Sequence, residues 1–189
     1  MSLHDDVRAQ LSRTPAVLAE LLRGAPDRLW RATEGPGTWS PFEIVCHLLH
    51  GEDDDWIPRI RIIVEQGGRT PFMTFDREGG MNKYGTEPAE RLLALFDAAR
   101  RTNLAVLDGW RLSESMLTLT GTHPELGPVT LGQLFACWAT HDAAHLAQIT
   151  RVLVRHYGQS LGPWRAFFSL LRDTPTAERI SHRGTETQS

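Results

Sequence analysis

The sequence has few cysteines, no long apolar run and no large excess of charge of one sign. Two cysteines, Cys46 and Cys137, occur in 189 residues, which is too few for a disulfide framework, and they lack the CxxC spacing of thiolate zinc sites. We expect both to be small buried hydrophobic residues. No stretch approaches the roughly 18 to 20 apolar residues of a membrane helix. The formal net charge is -3 with both signs interspersed, so neither nucleic acid nor a membrane is an expected partner.

The composition suits one domain with a real core, since 41% of the 189 residues are hydrophobic. We expect this single domain to span residues 1–172 and the polar stretch 173–189 to be a disordered tail. The start of the chain, "MSLHDDVRAQ", is polar and acidic, unlike a signal peptide. These features predict a soluble cytoplasmic protein.

Four helical stretches are predicted between proline and glycine clusters. The first begins at Thr14-Pro15, a cap followed by proline at the first helical position, after a lead-in turn or two over residues 3–12. The second begins at "WSPFEI", in which Ser40 and Glu43 form a capping box. It runs to Gly67-Gly68, and Pro58 is expected to kink it.

The third helix starts around Thr86 to Pro88 and runs towards Gly109, and the fourth opens with a capping box of Thr130 and Gln133 and ends before Gly158. Between the third and fourth helices, "MLTLT" is a candidate extended piece. A short terminal helix is predicted over "LGPWRAFFSLL", with its aromatic residues in the core or an interface. The pattern predicts an all-α protein, a four-helix bundle with a short C-terminal helix.

Two histidines lie in the apolar stripe of the fourth helix, in the segment "HDAAHLAQI". His141 and His145 are four residues apart, so both imidazoles project from one face of the helix, an arrangement typical of a metal half-site. Two hydrogen-bonded core histidines are the alternative. A third ligand could come from His47 or His50 in "CHLLHGE", and the periodicity of that helix does not decide between them.

The segments "WSPFEIVCHLLHGE" and "LGPVTLGQLFACWATHDAAHLAQI" together resemble the signature of the DinB/YfiT-like metalloprotein superfamily. The resemblance covers roughly residues 14–165. It implies a bundle of up-up-down-down topology that is often a homodimer. It also implies a three-histidine metal site of His47, His141 and His145.

Three neutral imidazoles suit zinc, nickel or ferrous iron, and three protein ligands leave one coordination position open for chemistry. One functional branch of the family that the sequence resembles transfers or isomerises substrates with a low-molecular-weight thiol, and the resemblance implies such a reaction as one expectation for this chain. Our first hypothesis is therefore a metal-dependent transferase, isomerase or hydrolase that acts on a small electrophile. The alternative is a non-catalytic bundle that binds metal or a small molecule in a stress response. No residue stands out as a general base or nucleophile.

Four neighbours of the histidines are further candidates. Cys137 lies one turn before His141 and would close the site as a fourth ligand if it were not a buried hydrophobic residue. Asp142 and Gln148 are candidates for orienting the imidazoles, or else face solvent. Glu52 is a candidate base or hydrogen-bond partner of the site, although its "EDDD" setting is typical of a solvated acidic face.

The segment 69–85 is long, aromatic and glycine-containing. Such loops are usually functional or mobile. Packing across the end of the bundle is the favoured interpretation, and a lid over the metal or a dimer contact are the alternatives.

Overall fold

The computed structural model describes residues 2–171, which are mostly helical. The α-helices in this range are α1 (Leu3–Leu22), α2 (Asp27–Trp30), α3 (Pro41–Asp54), α4 (Trp56–Val64), α5 (Gly79–Tyr84), α6 (Ala89–Trp110) and α7 (Leu131–Gly158). Three segments of 3₁₀ helix also lie in this range, at Glu114–Thr118, Gly162–Phe167 and Ser169–Leu171. One hairpin is formed by β1 (Thr120–His123), which pairs antiparallel with β2 (Gly127–Thr130). None of the helices between residues 2 and 171 combines the length and the apolar composition of a membrane-spanning segment. The predicted tail 173–189 lies outside this range.

The predicted four-helix bundle is confirmed, with α1, the α3–α4 pair, α6 and α7 as its members. The helix directions, however, are up-down-down-up, because α1 and α7 run together while α3–α4 and α6 run the opposite way. Arg8 contacts Asp108 and Gly24 contacts Glu90, so α1 and α6 are antiparallel. Glu52 contacts Asn103 and Glu65 contacts Trp110, so α3–α4 and α6 are parallel. Trp138 contacts Glu52 and His145 contacts His47, so α7 is antiparallel to α3–α4. The predicted up-up-down-down order is therefore wrong.

Two apolar clusters form the core, one towards each end of the bundle. One cluster joins the first half of α1 to α4 and the start of α7, and includes Leu11, Ile60 and Trp138. The other joins the second half of α1 to α3 and the start of α6, and includes Leu22, Phe42 and Phe96. Each bundle helix passes from one cluster to the other through a buried polar residue, namely Thr14, Glu52, Arg100 or Asp142. The core is thus divided by a polar layer halfway along the bundle.

The start of α3 is as predicted. The Ser40 amide donates to Glu43 Oε2 (2.8 Å), and the Glu43 amide donates to Ser40 Oγ (3.4 Å), with Pro41 at the first helical position. The helix breaks at Asp55, three residues before Pro58, which has no N–H to continue the backbone ladder. The expected kink therefore divides the second bundle helix into α3 and α4.

Replacing Ser40 by alanine is expected to lower the free energy of unfolding by about 1 kcal/mol, because the hydroxyl satisfies a free backbone N–H at the end of α3. Urea unfolding followed by circular dichroism measures the change. Ser12→Ala, on an exposed face of α1, is the control and should change stability by less than about 0.5 kcal/mol. Equal effects of the two substitutions would contradict a stabilising cap.

The predicted start of the first helix is wrong. α1 is continuous from Leu3 to Leu22, its capping box is made by Ser2 and Asp5, and Pro15 lies inside it. Proline cannot donate to the carbonyl four residues earlier, so the carbonyl of Leu11 loses its helical partner. Arg100 Nη1 donates to this oxygen at 2.9 Å instead. A long-range hydrogen bond thus allows a proline that reads locally as a helix start to lie mid-helix.

Other differences concern the connections. The segment "MLTLT" is mainly 3₁₀ rather than extended, and the β1–β2 hairpin follows it. The loop 69–85 contains α5, and the terminal segment forms 3₁₀ turns rather than an α-helix. Trp164, Phe167 and Phe168 are exposed, so a core position for them is wrong. An interface position, the homodimer and the cytoplasmic location stay predictions.

Candidate metal centre

Three histidine rings converge between α3 and α7, in the polar layer of the bundle. Ring nitrogens of His47, His141 and His145 all lie within 4.8 Å of one another. His141 Nε2 is 3.0 Å from His47 Nε2 and 3.2 Å from His145 Nε2. His50 lies outside this group and stacks on Phe75. The structure therefore brings together the three histidines that the resemblance implied.

Hydrogen-bond partners at Nδ1 of two of these rings direct their Nε2 lone pairs into the group. His47 Nδ1 faces the carbonyl of Arg77 at 3.3 Å, and His145 Nδ1 faces Gln148 Oε1 at 3.0 Å. Both oxygens only accept, so in the neutral rings Nδ1 carries the proton and Nε2 carries a lone pair. His141 can donate one Nε2 proton to only one of its two neighbours. A cation at the centre satisfies all three nitrogens.

The spacing and the protonation state fit a transition metal. Ligand nitrogens about 2.05 Å from a tetrahedral ion are about 3.3 Å apart, close to the 3.0 and 3.2 Å observed. Burial and the neighbouring rings lower the pKa of His47 to about 4 and the pKa of His141 to about 2. Burial also lowers the pKa of His145. The rings are thus neutral near pH 7, the form that binds metal.

The histidines form part of the wall of a cavity of about 400 Å³. Aromatic side chains surround them: the Trp39 ring lies 4.7 Å from the His47 ring, and the Trp56 ring lies 5.2 Å from the His141 ring. Phe75, from the segment 69–85, closes on His47 at 5.6 Å. These rings keep bulk water from the ligand nitrogens while one side of the group stays open to the cavity.

A second cavity, of about 330 Å³, also has His47 in its wall. The two cavities share Trp39, His47 and Arg77. Arg77 is exposed, and its charge contributes to the low pKa values of His47 and His141. Both cavities therefore border the histidine group at His47.

Comparison with known proteins identifies the family. The sequence model of the DinB superfamily matches residues 10–149, a range that contains all three histidines. The chain belongs to the DinB superfamily. No curated protein matches it.

Among solved structures, this DinB-superfamily chain is similar to YfiT from Bacillus subtilis, with a TM-score of 0.69 and 20% sequence identity. The match covers 82% of this chain and 87% of the YfiT chain. YfiT is described as a probable metal-dependent hydrolase with an unusual four-helix bundle topology. The similarity supports the four-helix bundle of this DinB-superfamily member.

Two predicted neighbours of the DinB-superfamily histidines differ in outcome. Gln148 Oε1 lies 3.0 Å from His145 Nδ1 and is placed to orient this imidazole, one of the two alternatives for this residue. Cys137 lines the cavity and is exposed, so its prediction as a buried hydrophobic residue is wrong, whereas Cys46 is buried as expected. Within residues 2–171 the group of converging ligand atoms consists of the three histidine nitrogens, and the Cys137 sulfur is not part of it as a fourth ligand. Desolvation and the charge of Asp55 raise the pKa of this thiol.

Glu52 and Asp142 belong to a buried ion-pair network beneath the DinB-superfamily site. Arg100 donates to Asp142 Oδ2 (2.6 Å) and to Glu52 Oε1 (2.8 Å), and Asn103 donates to Glu52 Oε2 (3.0 Å). The solvated-face interpretation of Glu52 is therefore wrong, because only 2% of the residue is exposed. Asp142 pairs with Arg100, and neither carboxylate accepts a hydrogen bond from an imidazole within residues 2–171.

Arg100 and Asn103 were not predicted from the sequence, although the chain carries a signal for them. They follow Phe96 and precede Leu107 at helical spacing on α6, so polar residues interrupt an apolar stripe there as the histidines do on α7. Asp55, Arg59 and Arg77 were also missed, because only the folded chain brings them to the cavity.

Proposed function

We propose that His47, His141 and His145 bind one divalent transition metal and that the protein uses it to act on a small electrophile. Either water or a low-molecular-weight thiol is the nucleophile. One observation carries the proposal: three imidazole nitrogens converge beside an open cavity, with no fourth protein ligand among residues 2–171. The description of YfiT as a probable metal-dependent hydrolase supports the same class of activity.

Three imidazoles suit zinc, nickel or ferrous iron. A bound ion of this kind supplies a Lewis acid that polarises a carbonyl and lowers the pKa of water or a thiol. The protein's own residues fix the geometry. The Arg77 carbonyl and Gln148 hold the imidazoles of His47 and His145 in the tautomer that ligates through Nε2. Trp39 packs against the His47 ring and Trp56 packs against the His141 ring, which shields both imidazoles in part from water.

The second cavity supports a reaction with two organic reactants. Its walls include the polar side chains Glu43, Glu78 and Asn82, whereas aromatic rings dominate near the histidines in the larger cavity. A hydrolase needs room for one organic molecule and water, whereas a thiol transferase needs room for two organic molecules. Two cavities that meet at His47 therefore favour the thiol-dependent transferase within this proposal.

Metal analysis of the untagged protein tests the site. We expect about one equivalent of zinc, nickel or iron in the wild type and less than about a tenth in His141→Ala, because two imidazoles alone bind such ions far more weakly. His50→Ala is the matched control, since His50 on α3 is as buried as His47 but lies outside the three-histidine group. His50→Ala should retain the wild-type metal content.

Metal retained at full stoichiometry by His141→Ala would contradict the three-histidine site. The nucleophile is tested separately on the metal-loaded protein, with a panel of activated esters and electrophiles assayed with and without glutathione, bacillithiol or mycothiol. Thiol-dependent turnover supports the transferase, and thiol-independent turnover supports a hydrolase. A loaded site that catalyses neither reaction would contradict the catalytic part of the proposal.

A further inference from the structure

His123 is the last residue of β1 and forms part of the wall of the larger cavity. The backbone amides of Glu125 and Leu126, in the turn that follows, both donate to His123 Nδ1 at 3.2 Å. A ring nitrogen that accepts carries no proton of its own, so the neutral ring has its proton on Nε2. The turn therefore fixes His123 in the tautomer that donates through Nε2.

The Nε2–H of His123 makes no hydrogen bond within residues 2–171, where the ring's bonds are the two at Nδ1. The residue is half-buried, and its Nε2 is not among the enclosed unpaired nitrogens of this part of the chain, which include His141 Nδ1. Burial and the charge of Arg59 lower the pKa of His123, while Glu125 acts to raise it. The ring therefore offers an accessible donor and stays neutral near pH 7.

The hairpin holds this donor in a fixed place. The Phe72 amide donates to the Thr122 carbonyl at 2.9 Å, and the Phe72 ring meets the His123 ring edge-on with the ring centres 6.5 Å apart. A Cβ at Gly121 would lie 2.6 Å from the Phe72 ring and 2.9 Å from Ile63 of α4. Only glycine allows β1 to approach α4 this closely. The imidazole is thus anchored through its backbone, through Nδ1 and through its ring face.

Capping the turn uses only one of the two ring nitrogens. Asparagine and aspartate commonly cap turns of this kind, because a single side-chain oxygen accepts from the amides that follow. A histidine in the same place adds a second polar atom, which is directed away from the turn. Because His123 also lines the cavity beside the histidine group, this second atom is available to the molecule that occupies the cavity.

We propose that His123 is a substrate-binding residue whose Nε2–H donates to an uncharged carbonyl oxygen of the substrate, such as that of a ketone, an ester or an amide. A neutral single donor complements an oxygen that only accepts. The charges of Arg59 and Glu125 act on His123 in opposite directions, so its surroundings favour neither an anion nor a cation. The inference rests on the proposed function, because the metal at His47, His141 and His145 holds the reacting end of the same substrate.

Matched pairs of metal-binding probes test this contact. The first pair is 4-oxopentanohydroxamic acid and 4-methylidenepentanohydroxamic acid, in which a methylidene group replaces the remote carbonyl oxygen, and longer homologues extend the series. Each probe is titrated into the cobalt-substituted full-length protein, and its dissociation constant is taken from the visible absorption of cobalt. We expect the carbonyl probe of at least one chain length to bind about tenfold more tightly than its partner, as one added hydrogen bond predicts.

A variant of His123 separates substrate binding from capping of the turn. His123→Asn keeps an oxygen that accepts from the Glu125 and Leu126 amides but has no donor in place of Nε2. It should therefore lose the preference for the carbonyl probe while its melting temperature changes by less than about 2 °C. His156→Asn, at a half-buried histidine of α7 outside the cavity wall, is the control and should retain the preference. A role in the turn alone requires that His123→Asn retain it too.

Nuclear magnetic resonance of the zinc-loaded wild type gives a second readout that depends on no variant. Long-range ¹H–¹⁵N spectra should show the His123 proton on Nε2, and this nitrogen should shift with the carbonyl probe and not with the methylidene probe. A proton on Nδ1, or equal affinities within every probe pair while cobalt is bound, would overturn the contact and leave the metal site intact. A protein that binds no cobalt would refute the proposed function and this inference together.

Discussion

Arg100→Leu is expected to lower the free energy of unfolding by about 3 to 5 kcal/mol, the range found when one partner of a buried ion pair is removed. The guanidinium is 1% exposed and is the ion-pair partner of Glu52 and Asp142, which are 2% and 0% exposed. Its loss leaves two carboxylates without a counter-charge in the middle of the core. It also leaves the Leu11 carbonyl without a partner. Urea unfolding at pH 7, followed by circular dichroism, measures the loss.

Arg101→Leu is the matched control for this prediction. Arg101 is the next residue on α6, is exposed, and pairs with Asp97 one turn away. Exposed pairs of this kind contribute less than about 1 kcal/mol, so this variant should remain near wild-type stability. A loss of less than about 1 kcal/mol in Arg100→Leu would contradict the network as a stabilising element of the polar layer.

The stability loss in Arg100→Leu should also depend on pH. Burial already raises the pKa of Glu52 in the wild type, against the opposing charge of Arg100, and without that charge the pKa rises further. A carboxyl group whose pKa is higher in the folded than in the unfolded state destabilises the protein when the pH is above the pKa that the group has in the unfolded chain, about 4.3. The difference from wild type should therefore shrink as the pH falls from 7 towards 5. Adding Glu52→Gln and Asp142→Asn should recover part of the loss at pH 7, because it removes the uncompensated charges.

The parts of the fold that were predictable depend on local rules. Ser40 with Glu43 and Thr130 with Gln133 mark the starts of two bundle helices because a capping box is satisfied within four residues. Pro15 breaks the same kind of rule, since its helix continues only because Arg100 bonds the Leu11 carbonyl from another helix. The helix directions were not predictable either, because an amphipathic pattern is the same whichever way its helix runs.

The candidate site shows a similar division. The spacing of His141 and His145 indicates a shared face, but periodicity on α3 cannot choose between His47 and His50, which are equally buried at 7% exposure. The folded chain makes the difference, because His47 meets His141 and the Arg77 carbonyl whereas His50 stacks on Phe75. Two of these partners come from the segment 69–85, whose sequence has no strong periodicity.

Gly80→Ala is expected to weaken metal binding at least tenfold and to lower the free energy of unfolding by about 1 to 3 kcal/mol. A Cβ at Gly80 would lie 2.6 Å from the Cys46 carbonyl oxygen and 3.0 Å from the His47 amide nitrogen. Both atoms belong to the backbone of α3 and cannot rotate away, so α5 must move off α3. The Arg77 carbonyl, just before α5, would move with it and release His47 Nδ1. Competition with a metal-binding dye and urea unfolding measure the two effects.

Gly109→Ala separates this clash from the general effect of adding a methyl group to a helical glycine. Nothing lies within 4 Å of a Cβ at Gly109 on α6, so this variant should gain up to about 1 kcal/mol from helix propensity. A Gly80 variant that loses stability but binds metal normally would mean that the Arg77 carbonyl is not needed to orient His47. A variant unchanged in both respects would mean that α5 is not held against α3. The predicted outcome, a loss of both, would make segment 69–85 a packing element on which the ligand geometry depends, rather than a lid that opens independently of it.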